Sequence, residues 1–289
     1  MTTGQLSPFA AITMARFREL WVHTGTACNL SCPFCHEGSK PGDVRLEAPT
    51  PAELAPLLTE AAARGVERFA FTGGEPLILK GIREILLQAL VLRPVLVLTN
   101  GTAPFIRRSH QLAELAAAPH ALSFRVSIDY ANEARHDAGR GLKNFRKALE
   151  GLRLLHGAGF TVGITRQSTP GEDAGAVDAA FRQLLRKQRL PQELSIVALP
   201  ELGLPDGTAA PRSRAACGTT AAVAPACAVS RMLLRRSGSM RFHACPLTDD
   251  AARFEVGASL DAALEMRVLP DHPRCAQCFD CGVDYAGAG

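Results

Sequence analysis

Between about residue 20 and residue 200 the chain alternates short apolar runs with longer amphipathic stretches. The runs 21–24, 66–72, 95–99, 122–129, 161–165 and 194–199 are short and mostly apolar, and most of them stop at a Gly, Asn, Asp or Pro, the pattern of buried strands. Segments with helical spacing separate them, over about 51–64, 82–92, 110–117, 142–156 and 174–187. The first helix opens with Thr50-Pro51-Ala52-Glu53, a capping box with proline at the first helical position. Gly157 or Gly159 closes the fourth. Strands alternating with helices predict an α/β fold with a parallel sheet covered by helices. A Pro- and Gly-rich connector starts at Pro200, dividing the chain into 1–200, a linker over 201–216 and a tail over 217–289.

Composition narrows the class. The chain has 289 residues, 47% hydrophobic and 21% charged, enough for a large core and more than one typical domain. Its formal net charge of +4 is too small to argue for nucleic acid, and the basic clusters 182–189 and 233–236 read as solvated faces. No apolar run reaches the roughly 18 residues of a membrane span. No charged and apolar leader precedes the first strand, so a cytoplasmic location with reduced thiols is expected.

Nine cysteines then change the picture. Cys28, Cys32 and Cys35 lie in Thr-Ala-Cys-Asn-Leu-Ser-Cys-Pro-Phe-Cys-His directly after the first strand. A 4Fe-4S cube that only carries electrons takes four thiolates, so three leave one iron open to a ligand. A zinc site would need a fourth ligand, and His36 is adjacent to Cys35, unlike the two spaced pairs zinc prefers. The triplet therefore predicts chemistry at an open iron.

With the downstream motifs the chain resembles the radical S-adenosylmethionine (radical SAM) superfamily. The resemblance rests on C-x3-C-x-Phe34-C, on Gly73-Gly74-Glu75-Pro76 after the second strand, on Leu98-Thr99-Asn100-Gly101, on Val126-Ser127-Ile128-Asp129, and on His136-Asp137 with Arg140-Gly141. It implies a partial, open (β/α)6 TIM-like barrel. It also implies that Cys28, Cys32 and Cys35 hold a 4Fe-4S cluster whose fourth iron is chelated by SAM. Gly73, Gly74, Glu75, Pro76, Asn100, Ser127, Asp129 and Arg140 are the implied cofactor-binding residues, Glu75 as an ammonium partner and Ser127 and Asp129 near ribose or carboxylate. All these motifs fall at strand ends on one face, where parallel α/β folds place ligands.

The other six cysteines, Cys217, Cys227, Cys245, Cys275, Cys278 and Cys281, all follow the connector. This tail is similar to the Twitch domain, a short relative of the SPASM domain, in which two cysteines flank a hairpin with a glycine and a helix leads to a Cys-x2-Cys pair. Here Cys227 and Cys245 flank 231–242 with Gly238 at the turn, and Cys275 and Cys278 follow 259–266. The resemblance implies a second, auxiliary 4Fe-4S cluster on Cys227, Cys245, Cys275 and Cys278, with Cys281 the alternative fourth ligand. A zinc knuckle of the same thiolates is the other reading. Cys217 is either a small buried hydrophobe or a hydrogen-atom donor to a product radical.

The function expected from this is reductive cleavage of SAM, with an electron from flavodoxin or ferredoxin, followed by hydrogen-atom abstraction. The expected substrate is a polar small molecule such as a sugar or cyclitol, oxidised or epimerised. Peptide maturation is the alternative, weighed down by the short stretch before the first strand. A ring-forming step like that of molybdopterin biosynthesis is expected less, because the basic, Gly-rich tail of that family is missing. A non-catalytic Fe-S or zinc module is the reading from another class. His23, His36, Arg125, Arg166 and Gln167 are further pocket candidates near strand ends.

Overall fold

The computed structural model describes residues 10–169, 171–200, 224–248 and 251–281. Six strands alternate with helices: β1 (Glu19–His23), α1 (Pro51–Ala63), β2 (Arg68–Thr72), α2 (Ile82–Leu92), β3 (Val95–Thr99), α3 (Ser109–Ala116), β4 (Leu122–Ser127), α4 (Glu133–Arg140), α5 (Asn144–Gly157), β5 (Thr161–Gln167), α6 (Ala174–Lys187) and β6 (Ile196–Leu199). Then come α7 (Ala226–Val229), β7 (Ser230–Arg236), β8 (Ser239–His243), β9 (Glu255–Gly257), α8 (Leu260–Glu265) and α9 (Pro273–Cys281). β1 to β6 are parallel and neighbour one another in chain order, the wall of a partial TIM-like barrel.

The register explains the long apolar runs. Val22, Phe71, Val97, Phe124 and Val162 form one lateral row, all buried. Residues of opposite parity face the barrel interior, so Thr72, Leu98, Ser127 and Thr165 line the cleft at the strands' C-terminal ends. Local chemistry matches: Thr50 and Glu53 form the reciprocal capping box of α1, with Thr50 N–H donating to Glu53 Oε2 at 2.9 Å.

Two features lay outside the sequence reading. Helix α4 has only His136 buried and no apolar stripe, so periodicity could not show it; Asn132, accepting from Arg135 N–H, caps its start. The C-terminal strands also continue the barrel's sheet, because β7 pairs in parallel with β1, and β8 and β9 follow antiparallel. Ser230 opposes Glu19, so Cys227, just before β7, lies at the opposite end of the β1/β7 ladder from Cys28, which follows β1. The hairpin turns through Ser237 and Gly238, both at positive φ (50° and 76°), a type I′ geometry that glycine favours. The linker 201–216 and Cys217 lie outside the described residues, as does the side chain of Cys281.

Candidate active site

A cleft with about 980 Å³ of empty space, open mouth included, lies at the C-terminal ends of β1 to β6. Cys28, Cys32 and Cys35 line one wall, Gly73, Gly74, Asn100 and Ser127 its floor, and Asp129 and Arg140 one side. Arg166 and Gln167 lie on the β5 side, and His36 beside Cys35. His23 and Arg125 are buried away from the cleft's lining.

The loop that carries the three cysteines is tied down at several points. Cys28 N–H donates to Lys40 O (3.2 Å), and Thr26 Oγ1 donates to Asp43 Oδ1 (2.9 Å). His23 Nε2 meets Glu37 Oε2 at 2.8 Å, both side chains fully buried. Burial works against ionisation of Glu37, but the neighbouring His23 and His36 hold its carboxyl well below the usual range. From the tail, Arg274 donates to His36 O (2.7 Å) and to Leu247 O (2.9 Å), so helix α9 braces the same loop.

The Gly-Gly-Glu-Pro turn packs on that loop. Gly74 N–H donates to Gly25 O (2.9 Å) and Glu75 N–H to Ala27 O (3.0 Å). A Cβ on Gly74 would stand 2.1 Å from Ala27 O, and one on Gly73 2.7 Å from Gly25 O, so both glycines are demanded by the approach of two backbone segments. Glu75 turns its carboxylate inward: Oε1 accepts from Leu77 N–H (3.0 Å) and Thr99 Oγ1 (2.7 Å), Oε2 from Asn100 N–H (2.7 Å). Its burial raises its pKa, and these bonds oppose the rise. Glu75 thus locks the end of β3, and Pro76 starts the buried turn behind it.

Arg140 grips Asp129 with Nε to Oδ2 at 2.5 Å and Nη2 to Oδ1 at 3.2 Å, a bidentate pair. Its guanidinium also stands 5.5 Å from the Phe34 ring centre. Gly139 makes that possible, since a Cβ there would meet the Phe34 ring at 2.4 Å. Arg140 is held protonated, its pKa raised further by Asp129 and by Cys32 and Cys35, against its own burial. His136, which no motif reading gave a task, accepts from Asp129 N–H at Nδ1 (3.3 Å).

Burial pushes the Cys28 thiol up to about 12 and raises Cys32 and Cys35 as well. Such thiols become ligands only when a metal supplies positive charge. Cys28 Sγ already accepts from Leu30 N–H (3.4 Å) and, more weakly, from Asn100 Nδ2 (3.9 Å). The second group converges too: burial pushes Cys227 to about 11 and Cys275 to about 12 and raises Cys245, and neighbouring thiols of the group, including Cys278, add to each shift. Among the described residues no three Cys, His, Asp or Glu side chains close around a single-ion position. Zinc bonds of about 2.3 Å would need sulfurs about 3.8 Å apart, whereas a cube with iron at its corners spreads its ligands wider. Three thiolates on one wall of the cleft fit a cluster that keeps one iron open.

The Radical SAM superfamily model matches residues 22–183, more than half of the chain, and the chain belongs to that superfamily. A GTP 3′,8-cyclase of Mycobacterium marinum is 34% identical over 151 residues, covering 50% of this chain and 40% of the relative. The mycofactocin maturase MftC of Mycolicibacterium smegmatis is 32% identical over 171 residues, covering 57% and 42%. The chain thus spans about two fifths of the length of these relatives. The crystal structure of Streptococcus suis SuiB bound to S-adenosylmethionine superposes with a TM-score of 0.65 over 93% of this chain and 72% of that one, at 13% identity, a likeness of fold. No helix among the described residues is long and apolar enough to cross a membrane.

Proposed function

We propose that this chain uses SAM to abstract a hydrogen atom from a polar small molecule and oxidises it. When bound, a 4Fe-4S cluster and SAM supply one-electron cleavage of the sulfonium to methionine and a 5′-deoxyadenosyl radical. The observation that carries the reading is the convergence of Cys28, Cys32 and Cys35 with Asp129 and Arg140 on one cleft. Three thiolates leave an open iron, and the Asp129–Arg140 pair is fixed close enough to Cys32 to act on its charge. Asn100 aims its amide at Cys28, and Glu75 holds Asn100 in place.

On the β5 side, Arg166, Gln167 and Thr165 give the substrate wall a polar character. Arg166 is paired with Glu172 at 2.6 Å, both largely buried, so this wall is near neutral and suits hydroxyl groups better than a phosphate. Cys227, Cys245, Cys275 and Cys278 would hold an auxiliary 4Fe-4S cluster able to accept the substrate's second electron. Flavodoxin or ferredoxin would supply the first cluster. Epimerisation is the variant outcome if Cys217 returns a hydrogen atom instead.

Peptide modification is the second reading, favoured by two findings: MftC is named a maturase, and the fold is shared with SuiB, which another crystal structure shows bound to the precursor peptide SuiA. Anaerobic incubation of the reconstituted protein with SAM and dithionite tests the shared core. 5′-Deoxyadenosine should form, and a Cys32→Ala variant should form none. A fully iron-loaded, reduced sample that leaves SAM intact refutes the proposal. Stimulation by candidate polyols or by precursor peptides then separates the two substrate classes.

A further inference from the structure

Arg231, in β7, is 0% exposed, a rare place for a guanidinium. Its side chain points to the helix-covered face, since its register partner is Leu20 of β1. There its hydrogen bonds among the described residues all go to backbone carbonyls: Nε donates to Ala263 O (2.6 Å), Nη1 to Cys227 O (2.6 Å), Ser230 O (2.8 Å) and Ala244 O (3.4 Å), and Nη2 to Met266 O (3.2 Å). No carboxylate pairs with it among the described residues, unlike the buried Arg140 and Arg166, each of which has its acid. Carbonyl dipoles satisfy the donors and leave the net charge uncompensated, and a buried cation without an anion is costly. Two of these carbonyls belong to Cys227 and to Ala244, the residue before Cys245, so the charge lies beside those two cysteines, whose thiols oppose the effect of its burial.

We propose that Arg231 is the built-in counter-charge of an anionic metal centre on Cys227, Cys245, Cys275 and Cys278, and that it sets that centre's reduction potential. This rests on the auxiliary-cluster reading above. Four thiolates around a 4Fe-4S core of charge +2 leave a net charge of about −2, and reduction adds one more negative charge. A fixed positive charge in a dry environment favours the reduced form, because the attraction grows with the added electron. Arginine suits the position because it stays protonated when buried, and its planar fork can meet several carbonyls at once. Charge, rather than hydrogen bonding alone, is the property the site requires.

The test uses full-length, anaerobically reconstituted protein carrying Cys28→Ala, Cys32→Ala and Cys35→Ala, so that only the second centre remains. Iron and sulfide content is measured first, then the midpoint potential by EPR-monitored titration, for Arg231, Arg231→Lys and Arg231→Met. Lysine keeps the charge and loses the fork; methionine keeps the length and loses the charge. The expected result is a lower midpoint potential or reduced iron retention in Arg231→Met, with Arg231→Lys close to the parent. Equal behaviour of the methionine and parent proteins overturns the proposal. Equal loss in the lysine and methionine proteins also overturns it, since Arg231 is then only a hydrogen-bonded tie between β7 and α8. A parent that binds no iron at all fails differently: it removes the auxiliary cluster itself, before either variant is compared.

Discussion

Replacing Gly74 by alanine tests how the first cysteine loop is seated. The new Cβ would lie 2.1 Å from Ala27 O, 2.5 Å from Ala27 C and 2.9 Å from Thr26 O, all backbone atoms that cannot rotate away. Relief to a contact near 3.5 Å requires the turn and the loop to part by more than about 1 Å. That movement breaks the bonds from Gly74 N–H to Gly25 O and from Glu75 N–H to Ala27 O. Overpacking of this kind costs about 1 to 3 kcal/mol, and each lost hydrogen bond adds about 1 kcal/mol. A total near 3 to 5 kcal/mol corresponds to a fall in Tm of about 6 to 10 °C for a chain of this size. Because Cys28 follows Ala27 directly, iron at the first site should fall with it. Differential scanning calorimetry of the apoprotein and iron analysis of the reconstituted protein measure both effects. Gly157→Ala is the control: it ends α5, nothing lies within 4 Å of its would-be Cβ, and alanine there should be neutral or stabilising by up to about 1 kcal/mol. A Gly74→Ala protein with full iron and a Tm within about 1 °C of the parent would refute the packing argument.

Glu75→Gln should cost about 2 to 4 kcal/mol, because the amide nitrogen would face a donor where the carboxylate now accepts from Leu77 N–H, Thr99 Oγ1 and Asn100 N–H. A lowered Tm without SAM present checks this; an unchanged Tm with weaker SAM binding would instead make Glu75 a direct ligand. His136 gives a pH dependence: burial first, then Arg140, depress its pKa from 6.5 to about 4. The unfolded chain therefore takes up this proton at higher pH than the folded one, and stability is lost as pH falls from about 6.5 toward 4. By pH 5 the loss reaches about 2 kcal/mol from this group. Urea titrations at pH 7 and pH 5 should show His136→Asn with a shallower loss than the parent, and equal slopes would dismiss the assignment.

The order of strands and helices was readable because β1 to β6 are covered on the helix side by uninterrupted rows such as Val22, Phe71 and Val97, which print as apolar runs. The helices over Ile82–Leu92 and Ala174–Lys187 coincide with the expected bounds, having clear apolar stripes. The first three cysteines stood out from their spacing, and the structure sets Cys28, Cys32 and Cys35 along one cleft. What spacing could not show was direction. Glu75 reads as a ligand in a motif, yet its carboxylate points into the protein, and only coordinates reveal which way a side chain turns. Nor could a local pattern reveal that β7 would choose the free edge of β1, a pairing between residues some two hundred positions apart. Arg231 and Arg274 were invisible for a related reason: in sequence they are ordinary arginines, and their meaning comes from being buried against carbonyls.

That shared edge makes β1 a common gauge for the two sulfur-rich regions. One is spliced onto its far end and the other onto the near end of its neighbour, and four register pairs at about 3.3 Å per step fix a ladder of about 10 Å. The stretch of chain joining barrel to tail plays no part in that measurement. The spacing of Cys28 and Cys227 along the sheet is therefore set by the ladder and not by the length of that stretch.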